Sequence, residues 1–254
     1  MIPEFGFEAD GDKIKRPGLK KPVRTYKSDV TYNGADKPEE EIDLHVGSAI
    51  IKARTGKNEE MVVINRSNFF VCQSCGYTEL DEKRFSRYMK KEHRRANGSP
   101  CSSKNLKRFS LAYKFHTDIL TLRFLNPILS DESIALSVLY GLLEGASKAL
   151  SIERNDIAGC LKWFYNSETN SGNFGLVLYD KTPGGAGHVR RLKDEKTLGI
   201  VLRETLHLME NCTCGGDIGD TSCYGCLRNY YNQKYHERLQ RRFVIDFLSQ
   251  INCK

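Results

Sequence analysis

The chain has 254 residues, 39% of them hydrophobic, enough for one large core or two small ones, and no apolar run nears the roughly 20 residues a membrane-spanning helix needs. Its nine cysteines are odd in number and grouped at metal-ligand spacings, which suits a reducing, cytoplasmic setting better than a disulfide framework. The net charge is +7, and all of the excess lies in the first half, with 23 Lys and Arg against 16 Asp and Glu in residues 1–114 and 16 of each in residues 115–254.

That asymmetry points to an anionic partner, most simply nucleic acid, although a solvated charged surface reads the same way. The first ten residues, M-I-P-E-F-G-F-E-A-D, lack the basic-then-apolar layout of a signal peptide. Residues 1–40 are polar and punctuated by Pro and Gly. The stretch 13–27 carries seven positive charges, Lys20, Lys21 and Arg24 among them, and no acid; its prolines at 17 and 22 exclude a continuous helix. From 42 to 72 the pattern predicts short strands joined by turns at T-G-K-N and N-R-S-N. Residues 81–95 predict a short basic helix carrying Arg87, Lys90, Lys91, Arg94 and Arg95, followed by a second basic run with Lys107 and Arg108. Phe85, Tyr88 and Phe109 are interleaved with these cations, a mixture that suits phosphate neutralisation with some base stacking.

Residues 109–125 alternate apolar and polar over two stretches and predict strands. Next comes the clearest helix, opened by Ser130 and Asp131, with Ile134, Val138, Leu142, Ala146 and Ala149 at helical spacing. Segments 157–165 and 174–180 predict a β-hairpin. A glycine-rich loop follows, with Pro183, Gly184, Gly185, Gly187 and His188. Its amides could cradle a phosphate, or the loop could be a tight turn that lets the next helix pack on the sheet. Helices are predicted at about 189–210 and 227–250, flanking a cysteine-rich loop.

That loop, N-C-T-C-G-G-D-I-G-D-T-S-C-Y-G-C, places Cys212, Cys214, Cys223 and Cys226 within fifteen residues. Four thiols so close can wrap one tetrahedral Zn²⁺, and a closed four-sulfur site leaves no open position for metal catalysis. A second set lies upstream: Cys72-x2-Cys75-Gly76 has the form of a zinc-ribbon knuckle, Cys101 offers a return ligand, and His93 is the candidate fourth, unless it is only a solvated residue in a basic run. Cys160, amid apolar neighbours, reads as a buried core thiol, and Cys253 as a free one. A nuclease reading would lean on Asp180, Lys181 and His188. No D…(D/E)-x-K arrangement follows them, because Cys160-Leu161-Lys162 lacks the acid, and H-V-R-R-L-K-D only loosely matches a phosphodiesterase pattern.

The stretch L-Y-D-K-T-P-G-G-A-G-H, followed by C-x-C…S-C-Y-G-C-L-R-N-Y-Y-N-Q-K-Y-H-E-R-L, resembles the MrfA-type zinc-binding (MZB) domain, which closes the C-terminus of a group of superfamily-two DEAD/DEAH-type DNA helicases. The start I-P-E-F-G-F, the C-Q-S-C-G knuckle and Y-K-F-H-T-D-I-L-T-L-R-F resemble the region these proteins carry just before it, so the likeness covers nearly the whole chain. It implies zinc on Cys212, Cys214, Cys223 and Cys226, a counterpart of the family's glycine-rich stretch at Pro183, Gly184, Gly185 and Gly187, and work in DNA repair or antiviral defence. The helicase motor is missing from this sequence: there is no G-x-x-x-x-G-K-[ST], and Arg54-Thr55-Gly56-Lys57-Asn58 does not qualify. The expectation is therefore an excised C-terminal region, which Met1 directly before I-P-E-F-G-F would suit, or a separate subunit.

These readings predict an α+β protein. A basic, β-rich lobe with a zinc-ribbon-like knuckle would span 1–108, and a small sheet packed by helices with the four-cysteine zinc clamp would span 109–254. Its role would be accessory: to hold or position single-stranded or junction DNA for a helicase motor in cis or on a separate subunit, without contact with a membrane. The competing readings are a scaffold that binds a helicase partner without touching DNA, and a metal-dependent nuclease.

Overall fold

A computed structural model describes residues 28–34, 37–81, 93–166 and 170–252. The arm with Lys20, Lys21 and Arg24, most of the expected basic helix (with Arg87, Lys90 and Lys91) and Cys253 lie outside the described residues. In chain order the strands are β1 (Ser28–Tyr32), β2 (Ile42–Val46), β3 (Ala49–Cys72), β4 (Thr78–Leu80), β5 (His93–Arg94), β6 (Pro100–Cys101), β7 (Leu106–Asn126), β8 (Ile157–Asn166) and β9 (Ser171–Asp180). The helices are α1 (Glu132–Leu150), α2 (Glu195–Glu210) and α3 (Arg241–Ser249). This is the mixed architecture expected, a sheet packed by helices.

The described residues form two compact units. The larger takes Val30–Val62 with the chain from Lys114 onward, and the smaller takes residues 28–29 with Val63–Tyr113. This division differs from one at residue 108. Val30–Val62 goes with the C-terminal part because Leu44, Val46 and Ile51 bury themselves in the same core as the helices.

In the larger unit, β9 lies between β7 and β8, antiparallel to both. Registers pair Leu120 with Leu178 and Leu122 with Leu176, so these four leucines share one face. That face meets Leu139, Leu142 and Leu143 of α1, Leu198, Val201 and Leu202 of α2, and Val244 and Phe247 of α3. The alternate residues Ile119, Val177 and Tyr179 point the other way and pack with Tyr32, Met61 and Cys160 in a second cluster. Both faces of β9 are therefore covered, which explains its continuous buried run from Gly175 to Asp180. Each fully buried leucine contributes on the order of 1.5–3 kcal/mol.

Local chemistry sets the element ends. Asp131 opens α1 by accepting the N–H groups of Ser133 and Ile134 at 2.8 and 3.0 Å. Gly145 lets α2 close on α1: a Cβ there would stand 2.0 Å from Thr205 Oγ1 and 2.9 Å from Thr205 N. The hairpin expected from 157–165 and 174–180 is β8–β9. Three expectations are corrected. The turns expected at T-G-K-N and N-R-S-N do not reverse the chain; β3 runs through both, with Asn58 absorbed at φ +52° and Asn65 Oδ1 taking the Ser67 N–H inside the strand. The helix expected over 189–210 begins only at Glu195, where Asp194 caps it; residues Val189–Lys193 form a 3-10 turn. The helix expected over 227–250 is divided into a 3-10 turn, Tyr230–Tyr235, and α3, because the amides of Gln240, Arg241 and Arg242 donate to Ser137 Oγ and to the carbonyls of Thr221 and Gly219 instead of to a preceding helical turn.

In the smaller unit, β3 turns back into β4, pairing Phe70 with Glu79 and Val71 with Thr78. His93 and Arg94 pair with Cys101 and Pro100 in a two-stranded ribbon, so these two residues are strand and not helix.

Candidate metal centres

The distal loop begins as α2 ends, where the Asn211 side chain and backbone both donate to His207 O. Cys212 and Cys214 follow at once, and Cys223 and Cys226 return across a glycine-rich turn. Their sulfurs lie 3.5 Å (212–214), 3.6 Å (212–223), 3.7 Å (214–226) and 3.8 Å (223–226) apart. A disulfide would require about 2.05 Å, and all four are free thiols. A tetrahedron with Zn–S bonds of about 2.3 Å has edges of about 3.8 Å. The quartet therefore has the spacing of a zinc tetrahedron. Gly225 N donates to Cys223 Sγ at 3.3 Å and Cys223 N to Cys226 Sγ at 3.2 Å, bonds that favour thiolate character.

Without a cation the four charges conflict. Burial pushes the Cys226 thiol far up and the Cys214 thiol up to about 11, each reinforced by its sulfur neighbours. Cys212 moves down: burial opposes its ionisation, but the Cys214 amide and the surrounding thiols outweigh it. Ionising Cys212 thus works against ionising Cys214 and Cys226. A dication in the middle would remove that penalty, and the thiol protons would leave on binding.

The proximal set is assembled by a different device. Cys72 N donates to Tyr77 O and Gly76 N to Cys72 O, which folds the knuckle at the β3–β4 turn. Gln73 N to Asn105 O and Ser74 Oγ to Ser103 Oγ tie that knuckle to the returning limb. The β5–β6 register then sets His93 opposite Cys101. Ligand atoms of Cys72, Cys75, His93 and Cys101 all fall within 4.8 Å of one another, with Cys72 Sγ and Cys101 Sγ 4.0 Å apart. Burial works against ionisation of Cys72, yet the amides of Ser74 and Cys75 bring its thiol down to about 6. His93 is 7% exposed, stacked on Tyr77 with centroids 4.7 Å apart, and its Nε2 is buried with no hydrogen-bond partner among the described residues. A buried nitrogen without a partner costs free energy unless something coordinates it, so the residues present fit a metal here too. The reading of His93 as a solvated residue does not hold.

The glycine-rich loop is a tight turn wound around Asp180, not a phosphate cradle. Asp180 is fully buried. Its Oδ2 accepts the N–H groups of Ala186 (2.8 Å) and His188 (3.1 Å), and its Oδ1 that of Val189 (3.0 Å). These amides are spent on an internal carboxylate, and the carboxylate is spent on them, so Asp180 is not poised as a nuclease ligand. Pro183 and Gly184 are exposed at the tip. Gly185, at φ +83°, passes so close to Asp118 that a Cβ would stand 2.5 Å from its Cγ.

Of the basic residues singled out in the sequence, Arg94, Arg95, Lys107 and Arg108 are described, and all four are exposed in the smaller unit. Arg108 pairs with Asp81 at 2.7 Å, and Arg94 bonds the Gly98 carbonyl at 3.2 Å.

The family model described as MZB, the MrfA Zn-binding domain, matches residues 138–227, a span that runs from α1 through the Asp180 loop to one residue past Cys226. A curated relative, the Druantia protein DruE of Escherichia coli (strain UMEA 4076-1), is 28% identical over 240 residues, 82% of this chain but 12% of its own length. The chain thus spans about an eighth of that relative. A solved structure, the crystal structure of the DUF1998 helicase MrfA bound to DNA, overlaps 88% of this chain and 24% of its own with a TM-score of 0.47 at 12% identity. The proximal cluster lies outside the MZB span.

Two residues that organise the distal metal loop were not singled out for that role in the sequence. Arg241 is 6% exposed. Its guanidinium donates to the carbonyls of Met209 (3.1 Å), Cys214 (3.2 Å) and Gly216 (2.6 Å), so α3 clasps both the end of α2 and the C-x-C turn. Arg228 similarly spans Ser222 Oγ, Thr221 Oγ1 and the His236 carbonyl. A usable signal was available for Arg241, which sits where the apolar stripe of α3 begins and therefore had to point inward.

Proposed function

We propose that this chain is a zinc-pinned, non-catalytic accessory region of an ATP-dependent DNA helicase, acting in the cytoplasm in DNA repair or antiviral defence. It holds or positions DNA for a motor that lies elsewhere in the same polypeptide or on a separate subunit. One observation carries the DNA part of this reading. Residues 63–113 hold eleven Lys and Arg against four Asp and Glu, an excess of seven that equals the net charge of the whole chain. The described residues of that segment belong to the smaller unit, which holds the proximal cluster and displays Arg94, Arg95, Lys107 and Arg108. Charge gathered on a small, metal-stapled unit suits phosphate contact better than general solubility.

The MZB domain supplies the frame, and the commitment of Asp180 to the loop amides supports a structural role for it. The match of residues 138–227 to the MrfA Zn-binding family model supports the association with a motor. Titration of duplex and single-stranded oligonucleotides at increasing salt tests the proposal. Several phosphate contacts predict binding at low salt that weakens steeply, with log K falling by roughly 0.7–0.9 per contact for each decade of salt. No binding to either probe at low salt would leave only a scaffold role.

A further inference from the structure

Three large rings stand in solvent beside the distal cluster. Tyr224, inside the C-Y-G-C knuckle, is 68% exposed, and Tyr230 and Tyr231, just beyond Cys226, are 56% and 64% exposed. Clustered exposed rings mark interaction surfaces, because water gains when they are covered. These rings are held in place. Asn229 Oδ1 accepts the N–H groups of Tyr231 (2.9 Å) and Asn232 (3.0 Å), fixing the turn that carries both tyrosines. Tyr230 and Tyr231 meet edge to face with centroids 5.6 Å apart. Tyr224 meets His236 edge to face at 5.5 Å, and His236 Nε2 is bonded to the carbonyl of Asn229, the residue before Tyr230. Cations are interleaved with the rings: Lys181 Nζ lies 4.2 Å from the Tyr231 centroid and Lys234 Nζ 4.8 Å from that of Tyr235.

We infer that Tyr224, Tyr230 and Tyr231 form a stacking platform for the bases of single-stranded nucleic acid, with Lys181 and Lys234 beside them to meet its phosphates. Every base offers a π face, so a rigid set of rings binds a single strand whatever its sequence, and adjacent ammonium groups complement the backbone charge. An apolar protein segment would gain nothing from an ammonium seated over the ring it had to cover. The inference rests on the nucleic-acid reading above, but it places a contact on the MZB side of the chain, separate from the basic segment 63–113.

Two measurements test it. A thymidine oligonucleotide carrying 5-iododeoxyuridine is photocrosslinked to the chain and the modified peptides are mapped by mass spectrometry. In parallel, its affinity is measured for Tyr230→Ala/Tyr231→Ala and for Tyr230→Phe/Tyr231→Phe, with melting temperatures confirming that both variants fold. The platform predicts crosslinks at Tyr224, Tyr230 or Tyr231, a loss of affinity of about tenfold or more in the alanine variant, and near-native binding in the phenylalanine variant, which keeps both ring faces. Crosslinks confined to residues 63–113, with alanine-variant binding equal to the native chain's, would overturn the platform and leave the proposed DNA role standing. No binding by the native chain at low salt would remove both.

Discussion

Replacing Arg241 with Leu should loosen the distal centre even though no metal ligand is touched. The side chain is 6% exposed and donates to three carbonyls, at Met209, Cys214 and Gly216. A hydrogen bond from a charged donor contributes roughly 1.5–3 kcal/mol, and the three share one guanidinium, so they are not additive. Leucine fills part of the volume but leaves carbonyls around the metal loop without their donor. The expected cost is about 3–5 kcal/mol, and at about 2–4 °C per kcal/mol for a unit of this size the melting temperature should fall by roughly 6–20 °C. Arg241→Lys keeps the charge but not the three-way fork, and should fall between the two. Thermal unfolding followed by circular dichroism in zinc-containing buffer provides the measurement. A melting temperature within about 2 °C of the native chain for Arg241→Leu would refute the idea that α3 clasps the metal loop through this residue.

Two further outcomes follow from buried groups. Asp180→Ala would strip the acceptor from the amides of Ala186, His188 and Val189, so stability should drop by about 3 kcal/mol or more in denaturant titration; a neutral result would mean that the loop does not depend on this carboxylate. Cys160 is buried, and burial pushes its thiol up to about 12 from 9.0. A folded-state value above the unfolded one gives a contribution that is complete below about pH 9 and lost as the pH climbs toward 12, by at most about 4 kcal/mol. Cys160→Ala should therefore flatten the alkaline decline in stability, and iodoacetamide at neutral pH should leave Cys160 unmodified in the native chain. Rapid labelling of Cys160 without unfolding would contradict its placement.

How much of this could be read from the sequence depended on whether the signal was local. The distal quartet was legible because all four thiols fall within one short loop, where spacing alone limits their geometry. The proximal set was half legible: C-x2-C-G announces a knuckle, but the choice of His93 needed the β5–β6 register that sets it against Cys101. The α1 cap and the β8–β9 hairpin followed from Asp131 and from turn chemistry between apolar runs. The continuous β3 did not, since Asn58 and Asn65 carry turn signals that a paired strand absorbs as local distortion. The structural roles of Asp180 and Arg241 were not legible for a common reason. A charged residue is expected at the surface or in an active site unless its partners are known, and here the partners are backbone groups, which no side-chain pattern encodes.

The account rests on two metal ions held in closed sites, and zinc quantification combined with X-ray absorption at the zinc edge tests this most directly. It predicts two zinc ions per chain with an average first shell of sulfur and a minor nitrogen component, falling in Cys223→Ser/Cys226→Ser to one zinc held by three sulfurs and one nitrogen. A chain purified without metal, with the distal sulfurs oxidised in pairs, would contradict it.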